Sequence, residues 1–518
     1  MRQLPHFICQ NNISTANKSR ALGTYSISES GPLLAYGVAR SGSDWNTISV
    51  MRVEDNAVLE DKVEWVKFSG VSWTHDDRGF FYSRYPQPAE FAAPTAEQQA
   101  DPDFRRGTET SSVKNHAVYY HAVGTSQSDD VLVYATPDNP EWTVGAEVSD
   151  DGRYVILTAS ESCDTKNRFA VLRLSEDQSF SAALLPTVVK VVDEFVAEYG
   201  YVTNEGSTFF LRTNLDAGRY RLVAFDVAAP GVGSLPAQWR TVIPEHAKDV
   251  LESVTPVQRD RLVAVHSRDV AEKISIYAQD GRLLQADLPL PDVGSVGGLA
   301  ARKDDDDFFY HFSSFLYAGI IMRVDLSKAA ESTSNSDSDS ASSSAVHQSV
   351  FREIAVSGFD ARSFETKQVF VDSKDGSVKI PMFIVHRRGL RLDGSNPTWL
   401  YGYGGFNISL PPSFSVARVV WMQHFGGVFA CANIRGGGEY GEEWYKAGVL
   451  QRKQNCFDDF IAAAQFLQSA AYTRPEKLAI HGGSNGGLLV AACLNQRPEL
   501  FGAVIGQVGV LDLLKYRQ

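Results

Sequence analysis

The sequence predicts an all-β propeller followed by an α/β domain, and three features carry that prediction. A paired-strand pattern recurs roughly every 50 residues through residue 368. From residue 369 onward, short apolar strands alternate with helical segments instead. A Gly-x-Ser-x-Gly stretch then falls between one such strand and one such helix.

The recurring unit is an alternating strand, a polar turn and a second aromatic or aliphatic strand. It is legible in TYSISESGPLLAYGVA, VSWTHDDRGFFYSRY, AEVSDDGRYVILTAS and YVTNEGSTFFLRTN, with turn glycines Gly31, Gly79, Gly152 and Gly206. Two further turns lie near Asp260 and Asp306, so the spacings run 48, 73, 54, 54 and 46 residues. A Pro-, Ala- and Gln-rich insertion between Tyr85 and Thr108 accounts for the long interval. Recurrence at this period with several strands per unit is the signature of propeller blades. Six units are counted. Each blade's fourth strand is read in ISVMRVE, VLVYATP, FAVLRLS, RYRLVAFDV, ISIYAQD and GIIMRVDL. Residues 1–21 are left unassigned, and the Ser/Asp-rich run 327–345 is expected to be a disordered insertion, because it cannot bury enough apolar surface to offset its ordering entropy.

In residues 369–518, KIPMFIVH, PTWLYGYGG, GGVFACANI, KLAIH and AVIGQV read as strands. A helix opening at Asn455 places Phe457, Phe460, Ile461, Ala464 and Leu467 on one face, and GLLVAACL forms another helix. Asp458 stands where a capping box prefers Glu or Gln. Strand–helix alternation implies a parallel sheet wrapped by helices.

Composition narrows the function classes. The formal net charge is −13 and the pI is near 5.4, which argues against nucleic acid as a partner. No apolar run reaches the ~18 residues a membrane helix needs, and the N-terminus shows no secretory h-region. Cys9, Cys163, Cys431, Cys456 and Cys493 are odd in number and contain no C-x-x-C. Reduced thiols and a cytoplasmic location are therefore expected. Nothing in the motifs calls for a cofactor or a metal.

The chemistry is carried by Gly482-x-Ser484-x-Gly486. Flanking glycines let a serine occupy a sharp strand-to-helix turn with its hydroxyl above the sheet. The helix N-terminus favours negative charge there, and the Asn485 backbone N–H lies where it can hold an oxyanion. Gly436-Gly-Gly438-Glu-Tyr-Gly441 also matches a dinucleotide fingerprint, with Asp458 or Asp459 at about the right distance. Glu439, however, would put a carboxylate in a turn meant to cradle pyrophosphate, so a structural or substrate-facing loop is the reading preferred.

YGYGGFNIS (401–409), NIRGGGEYGEEW (433–444), QNCFDDF (454–460) and GGSNGGLL (482–489) together resemble the prolyl oligopeptidase family of serine peptidases. The resemblance implies a seven-bladed propeller covering an α/β-hydrolase domain, a monomer, and cleavage of short peptides on the carboxyl side of proline. It makes Ser484 the nucleophile and Tyr403 a side-chain oxyanion donor alongside the Asn485 N–H. It makes Phe406 the ring that stacks on proline, and gives Phe81 a place as a propeller aromatic reaching toward the substrate. A phenol suits a developing oxyanion, and an apolar ring suits proline's flat, uncharged side chain.

An α/β-hydrolase triad continues with an acid and then a histidine after the serine. The 34 residues following Ser484 hold no histidine, and Asp512 does not match the family's acid. His481, in the strand before the nucleophile, and His424 are read as structural. The chain thus resembles the family with both ends shortened and the hydrolase domain incomplete at its C-terminus. Little or no turnover is expected of these 518 residues alone; the alternative is a non-catalytic propeller protein that binds peptides or partners.

Overall fold

The structure, a computed structural model, describes residues 20–40, 42–88, 91, 113–175, 180, 187–229, 239–327 and 346–512. The expected disordered run 327–345 lies almost wholly outside them. The described residues fall into two compact units. One holds those up to Leu211 and from Ala224 to Arg240; the other holds those from Arg212 to Val223 and from Thr241 onward.

Among the described residues, twenty-four strands, from β1 (Arg20–Ile27) to β24 (His347–Glu353), form six four-stranded antiparallel sheets, each taking its four strands in succession. They match the six repeat units one for one. All six turns singled out by spacing join the first strand of a sheet to its second. Gly31, Gly152 and Gly206 take left-handed backbone there (φ 92°, 69° and 57°), which explains glycine at those positions. The second sheet is different: Asp77 takes the left-handed conformation (φ 57°). Gly79 opens the next strand instead, where a Cβ would overlap the His121 carbonyl and the Tyr120 ring.

One expectation is corrected. Of the six segments read as fourth strands, only VLVYATP is one, as β8 (Val131–Ala135). The other five are third strands: β3 (Asn46–Arg52), β11 (Asn167–Arg173), β15 (Arg221–Asp226), β19 (Ala271–Ala278) and β23 (Ile320–Asp325). Third strands lie inside their sheets and keep apolar runs, as in buried Phe169–Leu172. Fourth strands are sheet edges facing water; β24 has no fully buried residue, and its polar pattern hides it from a hydropathy reading.

The final sheet has six strands: β25 (Phe364–Asp372), β26 (Lys379–Arg387), β27 (Thr398–Tyr401), β28 (Val428–Ala432), β29 (Leu478–Gly483) and β30 (Ala503–Gln507), in the order β25-β26-β28-β27-β29-β30. The expected domain boundary at 368/369 falls inside β25. The sheet is mixed rather than wholly parallel, since β25–β26 and β26–β28 are antiparallel and the remaining pairs parallel. Every residue of the interior strand β28 is buried, as a strand covered on both faces requires.

Four helices accompany this sheet: α1 (Val416–His424), α2 (Glu442–Lys446), α3 (Gln454–Ser469) and α4 (Asn485–Gln496). Phe460, Ile461, Ala464 and Leu467 of α3 and Leu489 and Val490 of α4 pack on Ile380, Met382, Leu400, Ala430 and Ile480 of the sheet. Phe457 is only partly buried at the rim. The expected capping role of Asp458 is not realised: its carboxylate takes bonds from Lys374 and Gln454. Truncating a wholly buried side chain such as Leu467 to alanine costs about 2–5 kcal/mol.

Candidate active site

Ser484 stands between β29 and α4 at φ 54°, ψ −115°, a conformation costly for a residue with a side chain. The surrounding backbone compels it. Ser484 N–H donates to Gln507 O (2.8 Å), and the Ser484 carbonyl accepts from Gly487 N–H (2.9 Å), starting the helix. A Cβ on Gly486 would come within 2.7 Å of Gly402 O, and one on Gly482 would overlap Gly486. The glycines on either side therefore admit the β27 loop and the helix start into one crowded place, and the serine side chain is left exposed. The Asn485 N–H, first of α4, has no intrahelical acceptor.

The loop after β27 completes the constellation. Asn485 is buried, and its Nδ2 donates to Tyr403 O at 2.6 Å. Gly486 lies under the Tyr403 ring, its ideal Cβ position 3.6 Å from Tyr403 Cδ2. Phe406 and Asn407 both adopt left-handed backbone (φ 55° and 56°), and this turn holds the Phe406 ring out, 42% exposed. Ser484, Asn485, Tyr403 and Phe406 are thus gathered by two loops that touch. Phe81 is not available to a ligand: it is 0% exposed, packed against Tyr120 and Phe180 in the core shared by the second and third sheets. The motif GFFYSRYP puts alternate aromatics on opposite faces of one strand, and both faces are buried there.

The glycine-rich loop 436–441 is a structural support for this loop. Glu439, 2% exposed, turns inward and accepts from Leu410 N–H (3.1 Å) and Asn433 Nδ2 (3.2 Å). Burial pushes its carboxyl up to about 7. Gly438 packs under Asn407 and Ser409 with no room for a Cβ. The loop is itself pinned by two propeller turns: Gly218 O accepts from Glu442 N–H (2.8 Å), and Asp269 accepts from the Tyr440 hydroxyl (2.9 Å). A buried carboxylate in the turn leaves no place for a pyrophosphate there.

His481, three residues before the serine, is engaged elsewhere. His481 Nε2 bonds Gln507 Oε1 (3.0 Å), and its ring lies against Trp399 and Tyr401. His424 is exposed at the C-terminal end of α1. Asp512 is exposed after β30. Among the described residues no group of His, Cys, Asp and Glu has the arrangement of a metal site, and no helix is long and apolar enough to cross a membrane. Sequence reasoning passed over Lys453, which reaches into the site. The signal was a cation directly before α3, where the helix dipole disfavours one.

Comparison with known proteins agrees with this fold. Residues 6–336 match the family model "Prolyl oligopeptidase, N-terminal beta-propeller domain", and residues 412–518 match "Prolyl oligopeptidase family". Prolyl oligopeptidase A of Amanita bisporigera is 38% identical over 518 residues, covering 98% of this chain and 63% of the relative. Prolyl endopeptidase of Dictyostelium discoideum is 35% identical, covering 96% and 66%. The solved structure of prolyl oligopeptidase B from Galerina marginata bound to a 25mer macrocyclization substrate superposes with a TM-score of 0.84 at 36% identity, covering 96% of this chain and 65% of that one. The chain therefore spans just under two thirds of the length of these relatives.

Proposed function

The chain belongs to the prolyl oligopeptidase family of serine peptidases, a β-propeller joined to an α/β-hydrolase domain, and from that premise we propose that it is an endopeptidase cutting short peptides after proline. The observation that carries this reading is Ser484 on its strained elbow, locked through Asn485 to the loop that bears Tyr403 and Phe406. Ser484 Oγ attacks the prolyl carbonyl, and the bond to the leaving amine breaks to give an acyl-enzyme that water hydrolyses. The Asn485 N–H and the Tyr403 hydroxyl hold the oxygen on which charge develops. Phe406 offers an apolar face to the proline ring. Short proline-containing peptides are the substrates, and the enzyme acts on them as a cytoplasmic monomer without a cofactor.

The attack also needs a base to take the Ser484 proton. No histidine or carboxylate bonds Ser484 Oγ among the described residues, and no histidine follows it in the 518 residues. A polypeptide of these residues alone is therefore proposed to turn over poorly, which keeps open a peptide-binding role without cleavage. The test is chromophore release from a Gly-Pro substrate, assayed with this polypeptide and with the protein as its natural reading frame encodes it. Turnover by the latter that Ser484→Ala abolishes supports the peptidase. Saturable peptide binding with no turnover by either protein supports the binding role.

A further inference from the structure

The Lys453 ammonium sits behind the serine elbow, at the residue before α3. Its Nζ donates to Gly404 O at 2.8 Å and to Asn485 Oδ1 at 3.3 Å. Asn485 in turn donates from Nδ2 to Tyr403 O. One cation thus grips both the loop that presents Tyr403 and the residue whose N–H faces the nucleophile. Gly404 accepts that contact at φ 63°, and Gly405 has no room for a Cβ beyond Asn485 Nδ2, 2.5 Å from the ideal position.

The placement is unfavourable by local rules. Lys453 occupies the N-cap position of α3 with no side-chain cap, where a positive charge opposes the helix dipole. No carboxylate pairs with it among the described residues. The two acids on the first turns of α3 are committed elsewhere, Asp458 to Lys374 (3.0 Å) and Asp459 to Arg435 (2.6 Å). The neighbouring Cys456 thiol is pushed up to about 11 by burial, so it supplies no negative charge. A half-buried cation whose partners are two carbonyl oxygens and a neutral thiol is stabilised further when negative charge develops nearby.

We infer that Lys453 is a positioning residue for the oxyanion pocket, orienting the Tyr403 loop and Asn485 and lending its charge to the tetrahedral intermediate. This rests on the peptidase reading of Ser484. The ground-state peptide, being neutral at the scissile carbonyl, gains little from that charge; the oxyanion gains most, so the effect belongs in kcat rather than KM.

The test uses the protein from the natural reading frame, with Lys453→Met, which keeps the chain length and removes the charge, and Lys453→Arg. Three quantities are measured: kcat and KM on a prolyl substrate, affinity for a peptide aldehyde ending in prolinal, and affinity for a product peptide ending in proline. The aldehyde carbon adds the Ser484 hydroxyl to give a hemiacetal whose oxygen occupies the oxyanion position. Lys453→Met is expected to lower kcat tenfold or more and to weaken the aldehyde by a similar factor, with KM and product affinity within twofold. Lys453→Arg is expected to recover part of both losses. Unchanged kcat and aldehyde affinity in Lys453→Met overturn the inference. So does a loss shared equally by product binding, or a thermal midpoint lowered as much in Lys453→Arg as in Lys453→Met with no recovery of rate. Failure of the wild-type protein to cleave any prolyl substrate, by contrast, refutes the peptidase reading itself.

Discussion

The Arg435 guanidinium grips both oxygens of Asp459, Nη2 to Oδ1 at 2.6 Å and Nε to Oδ2 at 2.8 Å, while the Arg435 backbone N–H donates to Oδ2 as well (3.1 Å). Asp459 is wholly buried and Arg435 is 3% exposed. The pair ties α3 to the start of the glycine-rich loop. Asp459→Ala leaves a buried cation whose remaining carboxylate partner is Asp375, and should cost about 3–5 kcal/mol in urea unfolding. Arg435→Lys, which loses the two-pronged geometry, should fall between wild type and that value. A cost below about 1 kcal/mol for Asp459→Ala would show that the pair does not organise the loop.

Gly486→Ala tests the elbow. The added methyl would lie 2.7 Å from Gly402 O, so the helix start and the β27 loop must separate. A loss of about 1–3 kcal/mol in stability is expected, together with at least a hundredfold fall in prolyl-peptide turnover, because both oxyanion donors sit on the displaced segments. Wild-type turnover in this variant would contradict the arrangement.

Glu439 should make the hydrolase domain lose stability as pH rises. Its folded carboxyl titrates at about 7 rather than the ordinary 4.5, raised by burial and by the charge of Glu252 and lowered in part by the bonds from Asn433 and Leu410. Between pH 4.5 and 7 the folded chain holds a proton that the unfolded chain has released. The contribution is therefore complete below pH 4.5, declines through that window and is lost above it, on the order of 3 kcal/mol in all. Glu439→Gln should flatten the dependence of the thermal midpoint across that range; an unaltered slope would remove Glu439 as its source.

In the propeller, His121 is fully buried between Asp130 (Nδ1 to Oδ1, 2.6 Å) and Asp61 (Nε2 to Oδ1, 3.1 Å). Burial opposes its charge, but the bonds and charges of the two carboxylates outweigh burial and raise its pKa above 6.5. The stabilisation is thus full below pH 6.5 and is lost as pH rises through the higher folded value. Thermal melts of His121→Asn should lose this decline, which sets in as pH rises past 6.5.

Phe406→Ala separates specificity from stability. The ring is substantially exposed, so the fold should lose less than about 1 kcal/mol. KM for a prolyl substrate should rise about tenfold, the worth of a lost apolar contact of some 1.4 kcal/mol. Unchanged KM would place the proline ring elsewhere.

The six blades were legible because a propeller repeats local events, a tight turn and an alternating strand, whose spacing survives in one dimension. The elbow was legible for a related reason: Gly482 answers to the Gly486 backbone within five residues of chain, although Gly486 answers to Gly402 from the distant β27 loop. The fourth strand β24 escaped notice because an edge with no buried residue carries no apolar pattern. Phe81 was misplaced because a strand buried on both faces looks the same from either side.

Contacts across the chain settled the rest. Whether Glu439 lines a phosphate cradle or props Leu410 depends on which segment buries it, and Leu410, 29 positions away, takes part in deciding that. Gly404 and Asn485 follow β27 and β29, which are neighbours in the sheet, and Lys453, 32 residues from Asn485 in sequence, bonds both. Motifs announce a nucleophile because its strain is local. The charges that surround it depend on desolvation and pairing, which exist only once distant segments have packed.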